Sequence, residues 1–118
     1  MKYTWINNSE ISELLIEGRI LSAYESKQLI DEAKSNAVSG NKKLIIDISK
    51  TDYINSEGLN ILIKILTAYR SAGGEAIIFG ENSKLEDLFI LTKLNSIFSI
   101  FKKKEDAILH LKGEISPA

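Results

Sequence analysis

The chain has 118 residues, 44% of them hydrophobic and 26% charged, with a formal net charge of −1. That is an ordinary globular composition, large enough for an independent core, so residues 1–118 are expected to form one domain. Zero cysteines exclude disulfides, thiolate chemistry and cysteine-based zinc sites, and one histidine, His110, excludes a multi-histidine metal site.

Acids and lysines are intermixed, without the basic stripe that nucleic-acid binding leaves. Lys102-Lys103-Lys104 is followed at once by Glu105 and Asp106 and reads as a solvated helix start. No apolar run reaches the roughly 18 residues needed to span a bilayer. Residues 1–5 are too poor in apolar side chains for a signal peptide, so the cytoplasm is the expected location and membrane insertion is not expected.

In chain order, residues 3–6 and 11–17 read as two strands joined by a polar turn at Asn7-Asn8-Ser9. Ser22-Ala23-Tyr24-Glu25 matches a capping box, in which serine oxygen and glutamate satisfy free backbone donors reciprocally. Leu29, Ile30, Ala33 and Ala37 then recur at helical spacing, and Gly40 can close that helix in a left-handed conformation. Leu44-Ile45-Ile46-Asp47-Ile48 is a nearly continuous apolar run, the mark of a parallel strand covered on both faces.

A polar loop is expected to follow, ending at Ser56. The next helix, residues 57–72, carries Leu59, Leu62, Leu66 and Tyr69 on one stripe with Ile61, Ile65 and Ala68 beside it. Gly73-Gly74 ends it, and residues 76–79 form another buried strand. A second capping box, Ser83-Lys84-Leu85-Glu86, opens a short helix with Leu85, Leu88 and Phe89 facing inward. Residues 97–101 read as an edge strand, residues 105–111 as a last helix, and residues 113–118 as a frayed tail. The expected class is α/β: a mixed, mostly parallel sheet of about five strands with about four helices and right-handed crossovers.

Catalytic groups are scarce. There is no glycine-rich phosphate loop, no Gly-x-Ser-x-Gly elbow and no second histidine. No cofactor or metal is expected. Asp47 and Asp52 are ordinary strand-end and loop acids, and His110 reads as a plain surface or core residue. This inventory favours a binding or switch module over an enzyme. Ser56 stands out because it precedes a long apolar helix, where a phosphate is well tolerated by free N–H groups and the helix dipole. A serine there is also a routine N-cap, although Asn55 could cap equally well. On the residues alone both readings stand.

The run from Leu44 to Ile48, then Asn55-Ser56-Glu57-Gly58-Leu59, the helix closed by Gly73-Gly74, the following strand, Leu91-Thr92-Lys93-Leu94 and Glu105-Asp106-Ala107 together resemble a STAS domain, the fold of anti-sigma factor antagonists. The likeness covers nearly the whole chain, with residues 44–94 as its specific part. It implies that Ser56 is the phosphorylated serine and that the unmodified protein binds an anti-sigma serine kinase of the GHKL type, freeing a sigma factor. Phosphorylation would break that complex and a metal-dependent serine phosphatase would restore it. The implied docking surface is Arg19, Leu21, Asn55, Ser56, Glu57, Gly58 and Asn60. Asn55 stands where the family pattern has an acid, and so does Leu21 in Gly18-Arg19-Ile20-Leu21. The alternative role for such a domain is an unmodified subunit of a lipid-transport or signalling complex.

Overall fold

The computed structural model describes residues 2–7, 10–20, 26–40, 42–80, 83–93, 96 and 99–113, with backbone alone at 20, 83, 84 and 86. Strand β1 (Lys2–Asn7) pairs antiparallel with β2 (Ser12–Ile20), in register from Lys2 opposite Glu17 to Asn7 opposite Ser12. After β2 come helix α1 (Lys27–Val38), β3 (Lys43–Ile54), α2 (Ser56–Ser71), β4 (Glu75–Phe79), α3 (Ser83–Leu91), β5 (Ile100–Phe101) and α4 (Lys104–Leu111). The five strands lie in chain order, and β2 through β5 are parallel to one another. The expected α/β architecture is the one observed.

Sequential parallel strands joined by right-handed crossovers place their connecting helices on one face of the sheet. Accordingly α1, α2 and α3 share one core, in which Leu29, Ile46, Leu62 and Phe89 meet. Among the described residues the other face carries α4, whose Ala107 and Leu111 cover Ile11, Ile45 and Ile77. Ile45 and Ile46 thus bury opposite faces of one strand, which explains the unbroken apolar run there.

Two boundaries differ from the expectation. The stretch read as a polar loop is strand: β3 continues from Ser49 to Ile54, paired with β2 alone because β4 ends opposite Asp47. Register shifts at Leu15/Glu17 and Gly18/Arg19 break the alternation, leaving only Thr51 and Ile54 buried in this half. The Thr51 hydroxyl donates to the Ile16 carbonyl (2.9 Å), satisfying a backbone group at the bulge. Helix α1 has Ser26 as its N-cap, four residues beyond the predicted cap at Ser22, and Ser26 makes no side-chain capping bond. Ser22 to Glu25 lie outside the described residues, as do residues 8, 9, 97 and 98, the side chains of Ser83 and Glu86, and the tail from 114.

The hairpin is pinned to α1 by one carboxylate. Trp5 Nε1 donates to Glu32 Oε1 (3.0 Å), and the Tyr3 hydroxyl lies 3.2 Å from both oxygens. Burial first, then the Glu32 carboxylate, raises the Tyr3 phenol above its ordinary range.

Tyr69 presents the opposite case. Its side chain is wholly buried, and its hydroxyl has no hydrogen-bond partner among the described residues. Burial pushes its pKa from 10.0 to about 12. Tyr69→Phe is therefore expected to raise stability at neutral pH by roughly 1 kcal/mol, because an unsatisfied buried group disappears. In the original protein the unfolded state ionises first above pH 10, so folding stability falls as pH rises through about 12. That alkaline loss, on the order of 2 to 3 kcal/mol, should be absent from the Phe variant. Urea unfolding at pH 7 and across the alkaline range measures both effects.

Candidate functional site

The C-terminal ends of β2 and β3 and the start of α2 meet at one pole of the sheet. Asn55 has extended backbone (φ −96°, ψ −174°), so the chain turns out of the strand and into the helix at this residue. Its Oδ1 accepts from the Gly58 N–H (2.8 Å), and its carbonyl accepts from the Leu59 N–H (2.9 Å). Asn55 is thus the N-cap of α2.

The capping role therefore falls to Asn55. Ser56 is the first helical residue, not the cap, and it is exposed. Its hydroxyl makes no side-chain hydrogen bond among the described residues. Glu57, also exposed, places an acid in the first turn, where the positive helix end favours it. Asn60 is exposed one turn on.

Gly58 is buried, and its N–H is engaged by Asn55. Leu21 lies outside the described residues. Arg19 is exposed, and its Cζ sits 5.1 Å from the centre of the Tyr53 ring. The two residues face each other in the register of β2 and β3.

Tyr53, 47% exposed, is the residue that the sequence reading missed. An aromatic three places before the serine, within an otherwise polar run, was the available signal. An Arg–Tyr cation–π pair adds a rigid, partly apolar patch beside the serine, of the residue types that dominate protein interfaces.

The remaining candidates form no cluster among the described residues. Asp47 accepts from the Ser49 N–H (2.9 Å), Asp52 is exposed near the end of β3, and among the described residues no contact joins the two carboxylates. His110 lies in the last turn of α4, with Nε2 2.9 Å from Glu75 Oε1 and its ring 5.3 Å from Phe101. Among the described residues, no helix is long and apolar enough to cross a membrane.

The cap also yields a clean stability test. Asn55→Ala should cost about 1 kcal/mol, read as a lower urea midpoint with an unchanged slope, because the Gly58 N–H loses its partner.

A sheet in chain order, with α1, α2 and α3 on one face and an exposed serine opening α2, defines a small α/β domain. The family model for the STAS domain matches residues 9–107, and the chain belongs to that family. Among its relatives, BtrV of Bordetella bronchiseptica is 23% identical over 93 residues, which are 79% of this chain and 80% of that one. The anti-sigma-B factor antagonist of Listeria monocytogenes is 26% identical over 88 residues, 75% of this chain and 76% of that one. The same fold occurs in the Bacillus cell-fate determinant SpoIIAA, an anti-sigma factor antagonist solved in two states. The unphosphorylated form superposes with a TM-score of 0.71 at 10% identity, covering 97% of this chain and 100% of that one. The phosphorylated form superposes at 0.69 and 13%, covering 91% and 96%.

Proposed function

We propose that this STAS protein is a cytoplasmic anti-sigma factor antagonist in a partner-switching pathway, acting by binding and not by catalysis. In this reading the unmodified protein docks on a GHKL-type anti-sigma serine kinase. Phosphorylation of Ser56 by that kinase releases it, and a metal-dependent serine phosphatase resets the switch. The docking surface is Arg19, Tyr53, Asn55, Ser56, Glu57 and Asn60, with Leu21 in the adjoining segment.

The observation that carries the reading is the division of labour between Asn55 and Ser56. Asn55 caps the helix, which leaves an exposed hydroxyl at its first position. A phosphoserine there adds about −1.5 to −2 charge beside the positive end of α2, so the fold tolerates it while a docked partner does not. That a relative is named as an antagonist, and that SpoIIAA is known with and without phosphate, supports the same reading.

Mass spectrometry of the protein recovered from stressed and unstressed cells tests it. The expected result is phosphate on Ser56 in one condition, with a soluble kinase retained only by the unphosphorylated form. The second reading, a constitutive subunit, draws on Asn55 in place of the family's acid. It predicts a Ser56 that is never modified and a transporter ATPase or large assembly as the retained partner.

A further inference from the structure

Helices α1 and α2 both return antiparallel to the strands they follow, so they lie parallel to each other on the sheet. Between them runs a groove of about 1340 Å³. Its floor is apolar, formed by Ile30 and the half-buried Ile63. Lys27 and Lys34 line one wall and Lys64 the other, all three exposed.

The groove's lining is net positive by one charge, three lysines against the carboxylates of Asp31 and Glu32. Glu32 is occupied by Tyr3, Trp5 and Gln28, the last through Nε2 at 3.3 Å. That leaves Asp31 as the one carboxylate lining the groove without a partner among the described residues, against three lysines in the same condition. Lys27 and Lys34 stand two turns apart, about 10 Å along the axis. The cations are therefore spread along the groove and not gathered at one end, which suits an extended acidic partner over a single anionic headgroup.

The groove also continues the surface described above. Ser56, Asn60, Ile63 and Thr67 recur at helical spacing on α2, so a single stripe runs from the switch serine to the groove's wall. Lys27, in the first turn of α1, opens the groove at the same pole.

We infer that the α1–α2 groove docks an acidic amphipathic helix of the partner protein, its apolar side on Ile30 and Ile63 and its carboxylates along Lys27, Lys34 and Lys64. This is the helix-in-groove mode of recognition. It rests on the proposed partner switching, in which the same partner also covers Ser56.

The kinase retained by the wild-type protein is titrated against wild type, a Lys34→Glu/Lys64→Glu double variant and Ser56→Asp, each at low and high salt. The inference expects the double variant to bind at least tenfold more weakly at low salt, with the difference shrinking as salt rises. Equal binding by the double variant beside a loss for Ser56→Asp overturns the groove and leaves the switch standing. Should no kinase be retained, the switch reading fails and the groove is read separately. A synthetic 18-residue helix of leucine and glutamate is then added to ¹⁵N-labelled protein. Amide shifts confined to α1 and α2, absent with a leucine–lysine helix, support acidic-helix docking; their absence, or equal shifts with both helices, overturns it.

Discussion

Ser56→Asp is expected to weaken binding to the anti-sigma kinase about a hundredfold without lowering the protein's stability. The two halves of that expectation have separate causes. Ser56 is exposed and is the first residue of a helix of 16 residues. A carboxylate there faces the positive helix end and should stabilise the fold by a few tenths of a kcal/mol up to about 1. In a docked complex the same charge must be desolvated or held against the partner's own acids. A penalty of roughly 3 kcal/mol corresponds to about a hundredfold in Kd. Ser56→Ala provides the control, since it removes the hydroxyl without adding charge and should bind within a few-fold of wild type. Calorimetric titration with the kinase, paired with urea unfolding of each variant, separates the effects. An Asp variant that binds as tightly as wild type would sink the switch. Loss of stability would instead show that the hydroxyl supports the fold.

Much of the fold was legible because each core element buries a continuous surface. Ile45 and Ile46 are apolar in succession since both faces of β3 are covered, and that feature alone points to a parallel sheet. The stripe of α2 was equally plain, with Leu59, Leu62, Leu66 and Tyr69 all buried. What could not be read was the second half of β3. Ser49 to Ile54 looks like a loop because two register shifts leave only Thr51 and Ile54 buried, which erases the alternation that marks a strand. Reading it as a loop hid Tyr53, whose place opposite Arg19 exists only through strand pairing.

The site was legible in its location more than in its parts. Asn55 and Ser56 are both good capping residues, so composition cannot assign the cap; the backbone turn at Asn55 does. Gly58 belongs to the recognisable motif, and the structure adds that it is buried with its N–H on the Asn55 cap. The lysines of the α1–α2 groove are scattered at positions 27, 34 and 64 and form no motif. They come together only because the two crossovers lie side by side on one face.

Gly73 and Gly74 read alike from the sequence, as a pair ending α2, yet they are expected to respond to substitution in different ways. Gly73 has φ +84° with open space where a side chain would project. Gly73→Ala should cost about 1 kcal/mol, the penalty of a left-handed backbone for an L-residue. At Gly74 φ lies outside that region, and the obstacle is contact: an ideal Cβ would lie 2.1 Å from the Lys42 carbonyl oxygen and 2.8 Å from the Lys42 carbonyl carbon. That oxygen cannot give way alone, because it accepts from the Glu75 N–H at 2.7 Å where β4 begins. The Lys42 ammonium meanwhile donates to the Ala72 carbonyl at the end of α2. Gly74→Ala must therefore shift backbone that joins the start of β3, the end of α2 and the start of β4. Overpacking of this kind costs about 3 kcal/mol, a large share of a domain's total stability of roughly 5 to 15. Urea unfolding of the two alanine variants should show the Gly74 loss at least twice that at Gly73. A larger loss at Gly73 would mean that backbone handedness, and not the approach of Lys42, governs how this helix returns to the sheet.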